Sequence, residues 1–356
     1  MIVAMKSAVT SFDVARLAQV SQSAVSRSFT PGASVSEATR ALVMDAALKL
    51  GYRPNAHARS LITGRSRIIG LVLSYLENLF YPVALQRLAE RLQRDGYHVL
   101  LFINQNPNAD ELVTEILQYH VDGIVLAATT LSSALARNCA DADIPVVLFN
   151  RVMGHSGAKS TQSVSSVRGD NVAGGRAVAE FLLAGGHRRI AYIAGNEESS
   201  TNLERERGFR EGLACAGLHI WARATGNYDF ERARQAALEL FAAGHERPDA
   251  VFVASDHMAF AVMDALRFDL GLRVPEEVSV VGFDNVPQAD WGAYRLTTFE
   301  QPVDSMIEAT VGLLQERLRV EGAGPARNIV VPGSLIVRGS ARLPPSPQLL
   351  PPPPPL

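Results

Sequence analysis

The chain has few of the residues and patterns that would indicate disulfides, metal sites, catalysis or a membrane. Its 356 residues include only two cysteines, Cys139 and Cys215, which stand far apart and share no metal-ligand spacing. No apolar run reaches the roughly 18 residues that a membrane span requires, and residues 1–8 lack a signal-peptide pattern. No glycine-rich phosphate loop or nucleophile elbow occurs. We therefore expect a cytoplasmic protein with reduced structural thiols, no metal, no cofactor and no catalytic residue.

Composition and charge predict a globular chain with a basic N-terminal part and an acidic remainder. Hydrophobic residues make up 47% and charged residues 20% of the sequence, as in soluble globular proteins. The length exceeds what one compact core usually holds. Residues 1–67 have nine Lys and Arg against three Asp and Glu, a net charge of +6, which leaves −8 for the rest of a chain whose total is −2. A small basic module on an acidic body is typical of a protein that presents one part to nucleic acid.

The spacing of residues near the N-terminus predicts two short helices joined by a tight turn. Thr10 and Asp13 stand three apart, as a capping box requires. Ser21 is a suitable N-cap for the second helix, and a third helix is expected over residues 37–50, ended by Gly51. The apolar positions of the first two helices recur at helical spacing, at Val14, Leu17, Ala18, Ala24, Val25 and Phe29.

This pattern favours a DNA-reading helix-turn-helix. The alternative is an ordinary helical hairpin with a polar surface. The local excess of positive charge favours the first interpretation, because polar side chains on the second helix can bond base edges and phosphates. The residues expected to contact DNA in this module are Thr10, Ser21, Gln22, Ser23, Ser26 and Arg27.

From residue 67 onward, apolar runs alternate with amphipathic helical stretches, which predicts parallel sheets with crossover helices. The predicted strands are 68–74, 99–104, 123–128, 146–150, 190–195, 250–255 and 278–284. The predicted helices between them include 81–96, 109–119, 171–184 and 203–216. There are enough units for an α/β body of two doubly wound parallel-sheet lobes, like a periplasmic binding protein, with the break near residues 154–167.

Ligands of such sheets bind at the carboxyl ends of the strands. Aromatic, hydroxyl, carboxylate and guanidinium groups follow several predicted strands here, a combination that suits a sugar. Each residue also has a structural interpretation: Asp284 could lie in a turn, and Arg205 could pair with Glu204 or Glu206 on the surface. The predicted effector-binding residues are Phe80, Tyr81, Asn150, Ser199, Thr201, Arg205, Tyr228, Ser255, Asp256 and Asp284.

Over residues 8–342 the chain resembles the lactose-repressor (LacI/GalR) family of bacterial transcription regulators. In the N-terminal part the resemblance rests on Asp13-Val14-Ala15, Val20-Ser21, Val25-Ser26-Arg27, Gly51-Tyr52-Arg53-Pro54-Asn55-Ala56 and Ala58-Arg59-Ser60-Leu61. In the body it rests on Asp170-Asn171, Gly174-Gly175, Gly186-His187-Arg188-Arg189-Ile190-Ala191, Val281-Gly282-Phe283-Asp284-Asn285, Leu296-Thr297-Thr298 and Gln301-Pro302.

The resemblance implies a homodimer on a near-palindromic double-stranded operator. It implies that the segment 55–62 forms a helix only on DNA, with Asn55, His57 and Arg59 at the DNA and Leu61 wedged into the minor groove. It also implies that Arg205 and Asp284 bind the effector. Asp170-Asn171 and the Gly174-Gly175 pair match structural positions, a helix cap and a close packing contact. The missing leucine-heptad helix at the C-terminus favours a dimer over a tetramer.

The sequence thus predicts four segments. They are an all-α head over residues 1–54, a hinge over 55–66, a two-lobed effector-binding and dimerisation body over 67–342, and a proline-rich disordered tail over 343–356. The leading hypothesis is a DNA-binding regulator, with repression as the expected effect, controlled by a small ligand of the sugar class. The alternatives are a sugar-binding protein with no role at DNA, and an enzyme, for which no motif argues.

Overall fold

The computed structural model describes residues 9–30, 32–53, 64–74, 76–104, 109–129, 132–152, 164–242, 246–319 and 325–343. The chain divides into two compact units, Met1–Ser66 and Arg67–Leu356. The predicted hinge residues Asn55, His57, Arg59 and Leu61, and the tail from residue 344, lie outside the described residues. Within the described part, no helix combines the length and apolar character that crossing a bilayer requires.

The first unit contains α1 (Ser11–Ala18), α2 (Gln22–Ser28) and α3 (Glu37–Leu50). The Asp13 carboxylate accepts hydrogen bonds from the backbone N–H and the hydroxyl of Thr10, at 3.0 and 2.8 Å. Ser21 Oγ accepts from the Ala24 N–H at 3.2 Å. Gly51 ends α3 in the left-handed region, at φ 66°. Local capping chemistry therefore sets the helix ends where the sequence predicted them.

The small core of this unit lies where the three helices meet. Val14, Val25 and Val43 are almost completely buried. Leu17 was expected on the apolar face of α1, and that prediction is wrong: its side chain is 49% exposed, and Ala15 is buried in its place. With so short a helix the buried face is narrow, and spacing alone does not distinguish its edge from its centre.

The second unit holds two six-stranded sheets in two lobes. The strands of the N-terminal lobe are β1 (Ile68–Leu73), β2 (His98–Ile103), β3 (Gly123–Ala127), β4 (Val146–Phe149), β5 (Ser165–Gly169) and β11 (Asn328–Val331). Its helices are α4 (Phe80–Arg94), α5 (Asp110–Leu117), α6 (Ser133–Asp141) and α11 (Val303–Arg319). The sheet order is β11-β5-β4-β3-β1-β2, and all its pairings are parallel.

The C-terminal lobe repeats this plan. Its strands are β6 (Ile190–Ala194), β7 (Ala222–Thr225), β8 (Ala250–Val253), β9 (Ser279–Asp284), β10 (Thr297–Glu300) and β12 (Leu335–Ile336). Its helices are α7 (Asn171–Ala184), α8 (Ser200–Ala214), α9 (Phe230–Leu240) and α10 (Asp256–Asp264), the last continued by a π-helix at Ala265–Asp269, and a 3-10 turn spans Pro287–Asp290. The order is β12-β10-β9-β8-β6-β7, parallel except for the antiparallel pair β12–β10.

The chain crosses between the two sheets three times, after β5, after β10 and after β11. The predicted two-lobed, parallel-sheet body is confirmed. The predicted break near residues 154–167 is misplaced, because β5 begins at Ser165 and pairs with β4 in the first sheet. The sequence did not predict β5 because this strand begins with two polar residues, Ser165 and Ser166, which are nevertheless both buried.

Helices α7 and α8 approach each other closely because glycines line their contact. A Cβ added at Gly175 would collide with the backbone carbonyl of Arg205, and one at Gly208 with that of Val172. A Cβ at Gly174 would lie 2.7 Å from the rings of Phe283 and Phe299. The close packing predicted at the glycine pair is present, and it fixes the part of α8 from which Arg205 projects.

Replacing Gly175 with alanine should destabilise the body by about 1–3 kcal/mol, because the helices must separate to admit the methyl group. The midpoint of urea unfolding, followed by circular dichroism, measures the effect. Gly312 on α11 provides the matched control, since a Cβ there meets no atom within 4 Å. Gly312→Ala should stabilise by about 0.5–1 kcal/mol. Similar shifts in both variants would contradict close packing at Gly175.

Candidate functional site

The outer side of α2 presents polar side chains to solvent. Gln22, Ser23, Ser26 and Arg27 are exposed, whereas the inward positions of the same helix are buried. Gln22 Nε2 donates to Ser11 Oγ at 3.0 Å, and Arg27 has no ion-pair partner among the described residues. Thr10 and Ser21 are also exposed, although their polar atoms serve as helix caps. The helix can therefore offer hydrogen-bond donors and acceptors to a groove without disturbing its own core.

In the second unit, a buried guanidinium lies at the carboxyl ends of the C-terminal sheet. Arg205 is 2% exposed. Its Nε donates to Asn171 Oδ1 at 3.0 Å and its Nη1 to the Ala254 carbonyl at 2.5 Å. Its Nη2 lies 3.4 Å from Asp284 Oδ1, and its Cζ lies 3.8 Å from the centroid of the Phe283 ring. These contacts hold the side chain in one position.

Asp284 ends β9 and presents a carboxylate with one free acceptor. Its Oδ1 accepts from Gln301 Nε2 at 2.6 Å, while its Oδ2 is buried and has no hydrogen-bond partner among the described residues. Burial raises its pKa to about 6, against the effect of Arg205. Its φ of 129° lies in a region that L-residues rarely adopt, a type of strain that clusters at functional sites. An unused buried acceptor suits a ligand hydroxyl.

Hydroxyl groups and a second guanidinium connect the two lobes across this cleft. Arg151 follows β4, and its Nη1 donates to the Asn150 carbonyl at 2.7 Å and to Thr201 Oγ1, on α8 of the other lobe, at 3.0 Å. The same nitrogen lies 3.4 Å from the Tyr81 hydroxyl. The Tyr228 hydroxyl lies 3.2 Å from Thr201 Oγ1. A ligand that enters here meets polar groups from both lobes.

Two neighbouring cavities share Phe80 and Asp284. The inner cavity is almost filled by its own side chains and is lined by Asn78, Phe80, Tyr81, Asn150, Arg151, Thr201, Arg205, Tyr228 and Asp284. The outer cavity has a volume of about 390 Å³, and its lining includes Val83, Arg87, Glu300, Gln301 and Arg338. The outer volume falls in the range of small-molecule sites.

An ion-pair network beside the cleft joins β7, α8 and the loop that precedes α8. The Arg223 guanidinium on β7 bonds both carboxylate oxygens of Glu197, at 2.8 and 2.7 Å, and both of Glu206, at 2.9 and 2.8 Å. The Arg223 hydrogen bonds lower the pKa of Glu197 to about 2. The network therefore joins the loop that leads to Thr201 with the strand that leads to Tyr228.

The structure brings seven of the ten predicted effector residues to the inner cavity, and three lie elsewhere. Ser199 Oγ accepts from the Asn202 N–H at 3.3 Å and so caps α8. Ser255 caps α10 through the Met258 N–H. Asp256 is completely buried, and its carboxylate accepts hydrogen bonds from Val286 and Thr298 and does not line the cavity. The residues at the cavity are Phe80, Tyr81, Asn150, Thr201, Arg205, Tyr228 and Asp284.

Two residues that line the inner cavity, and two that orient its side chains, were missing from the predicted contacts. Asn78 and Arg151 stand beside predicted residues, and their proximity to strand ends was the available signal. Gln301 orients Asp284, and Asn171 orients Arg205. Asn171 was interpreted as part of a helix cap, a role that Asp170 fills through the Ala173 N–H at 2.9 Å. Among the described residues, no group of three His, Cys, Asp or Glu side chains is placed to hold a metal ion.

Comparison with known proteins finds relatives that span almost the whole chain. Residues 12–55 match the family model for bacterial regulatory proteins of the lacI family, and residues 179–341 match that for a periplasmic binding protein-like domain. The HTH-type transcriptional regulator CelR of Thermobifida fusca is 34% identical over 92% of this chain and 96% of its own length.

Solved structures agree with these relatives. A complex of the transcriptional regulator CelR with cellobiose superimposes with a TM-score of 0.68 at 32% identity, covering 94% of this chain and 100% of that one. A lac repressor dimer bound to operator and the anti-inducer ONPF gives a TM-score of 0.79 at 26% identity, covering 94% and 99%.

The buried carboxyl of Asp256 generates a pH prediction. Its oxygens accept from the Val286 N–H at 2.9 Å and the Thr298 hydroxyl at 2.6 Å. Burial, with the nearby Asp284 charge, raises its pKa to about 7. Between about pH 4 and about pH 7 the folded protein therefore holds a proton that the unfolded chain has lost, and the free energy of unfolding falls as pH rises.

The Asp256→Asn variant has no carboxyl to titrate at this position. The free energy of unfolding should therefore fall less steeply with pH in this variant, and the fall that remains should come from Asp284. Thermal unfolding midpoints across that pH range measure it. The exposed Asp141 offers a control, since Asp141→Asn should leave the slope unchanged. The assignment fails if the Asp256 variant retains the full slope of the parent protein.

Proposed function

Since the chain belongs to the lacI family of bacterial regulatory proteins, we propose that it is a cytoplasmic repressor that acts as a homodimer on a near-palindromic operator. As a member of this family it is a DNA-binding transcriptional regulator with a ligand-binding domain, and not an enzyme. A sugar or sugar derivative, bound in the cleft between the two lobes, controls its affinity for that operator.

One observation carries the ligand proposal: Arg205 and Asp284 form a fixed donor and acceptor pair with one free carboxylate oxygen. Neighbouring hydroxyls of a sugar can accept from a guanidinium and donate to a carboxylate in this way. The rings of Phe80, Tyr81 and Tyr228 line the same cavity and can cover the apolar C–H side of a sugar ring. The relative crystallised with cellobiose supports the same ligand class.

The cleft can influence DNA binding because it contains groups from both lobes. A ligand that binds one arrangement of the lobes more tightly shifts the population toward it. We propose that this shift changes the separation of the two hinges in the dimer, where residues 55–62 form helices on DNA and Leu61 enters the minor groove. The ligand and the operator must then change each other's affinity by the same factor.

The exposed face of α2 supports the DNA proposal, and Arg27 is its cationic side chain. Selecting genomic fragments on the purified protein at moderate salt should recover a near-palindromic sequence. Arg27→Ala should then weaken binding to that sequence by about 1–3 kcal/mol, as the loss of a base contact does.

Arg188 serves as the control for this experiment, because it is equally charged but lies exposed in the C-terminal lobe. Arg188→Ala should bind the fragment as the parent protein does, in fluorescence anisotropy at a fixed salt concentration. Equal affinity of the Arg27 variant and the parent would remove Arg27 from the interface. Recovery of no fragment, with and without sugars, would favour a sugar-binding protein with no role at DNA.

Arg205→Gln should abolish the response to the ligand while leaving operator binding intact. The substitution removes the charge that faces Asp284 and one donor of the pair. Release of the selected fragment, titrated with cellobiose and related sugars, measures the response. A variant that still responds at the same sugar concentration would place the ligand elsewhere in the molecule.

A further inference from the structure

Among the described residues, the buried guanidinium of Arg151 has no carboxylate partner. It is 5% exposed, and its hydrogen bonds within the described residues go to uncharged oxygens, those of Asn150, Thr201 and Tyr81. No carboxylate among the described residues lies within ion-pair distance of it. The other guanidinium of the cleft differs, since Arg205 faces Asp284 at 3.4 Å.

The charges of the inner cavity are therefore unequal. Two guanidiniums line it, from Arg151 and Arg205, and Asp284 is the one carboxylate among the described residues that line it. That carboxylate is already engaged by Arg205 and Gln301. Asp256 does not line the cavity, and its oxygens accept from Val286 and Thr298. A buried charge is costly unless an opposite charge accompanies it, so the cavity has a place for one negative group.

We propose that the ligand of the cleft is an acidic sugar, one that carries a carboxylate or a phosphate ester, and that Arg151 binds this anionic group. The assignment rests on the proposed function and specifies the chemical class of its ligand. The anionic group would accept from Arg151 in place of Thr201 Oγ1, where the Tyr81 and Tyr228 hydroxyls are close enough to add hydrogen bonds. Asp284 Oδ2 remains available for a sugar hydroxyl.

The proposal also assigns Arg151 a part in the movement of the lobes. Its guanidinium belongs to the N-terminal lobe and at present bonds Thr201 of the C-terminal lobe. A ligand anion that binds this guanidinium replaces the direct hydrogen bond between the lobes with contacts that both lobes make to the ligand. Binding of the anionic group and rearrangement of the cleft are then a single event.

Matched ligands test the proposal. Calorimetric titration compares glucose with glucuronate and with glucose 6-phosphate, which differ in the anionic group alone. The parent protein should bind an acidic member at least about tenfold more tightly than glucose, as a charge-assisted hydrogen bond provides. Tighter binding of glucuronate would indicate a carboxylate ligand, and tighter binding of glucose 6-phosphate would indicate a phosphate ester. Arg151→Gln should lose the preference, Arg151→Lys should retain part of it, and the exposed Arg188→Gln should retain all of it.

Inorganic phosphate tests the anion-binding group by itself, so the result does not depend on whether the sugar of the ligand is glucose. At constant ionic strength, replacing chloride with phosphate should raise the unfolding midpoint of the parent and of Arg188→Gln more than that of Arg151→Gln. Equal phosphate shifts in all three proteins, or glucose binding as tightly as its acidic counterparts, would overturn the proposal. Operator selection with the same proteins separates the two hypotheses. Recovery of no operator counts against the proposed function, whereas equal binding of neutral and acidic sugars counts against the acidic ligand alone.

Discussion

The arrangement of the cleft depends on the burial of one charged side chain, Arg205. A guanidinium taken out of water is tolerated only when its donors and its charge are satisfied. Here Asn171, the Ala254 carbonyl and Asp284 provide these partners from the start of α7, the end of β8 and the end of β9. Three separate segments must therefore converge on one point, and that point is the floor of the cleft.

Local packing makes this convergence possible. The glycines of α7 and α8 let the two helices touch through their backbones, which brings Asn171 within reach of Arg205. On the other side of the cleft, Arg151 extends from the N-terminal lobe to Thr201. The C-terminal half of the site is therefore held by many contacts. Contacts to the other lobe include the Arg151–Thr201 hydrogen bond at the cavity and the Arg168–Glu204 ion pair beside α8, and rearrangement of such contacts accompanies the movement of domains around a ligand.

Much of the fold could be predicted because its signals are local. Caps at Ser21 and Gly51 set helix ends, and continuous apolar runs marked the central strands. Strands with polar residues, such as β5, gave no such signal because their burial depends on distant partners. The same limit applied to the site. Strand ends indicated Arg205 and Asp284, but only the three-dimensional structure distinguishes Asp256, which bonds inward, from Arg151, which faces the cavity.

If a ligand in the cleft controls operator binding, the cleft and the DNA-binding head are thermodynamically coupled. The direct measurement is a closed cycle: the Kd of the operator with and without saturating ligand, and the Kd of the ligand with and without saturating operator. The account predicts that both affinities change by one common factor, typically between about 5 and about 150. It would be contradicted if a ligand fills the cleft with an affinity that the operator does not alter.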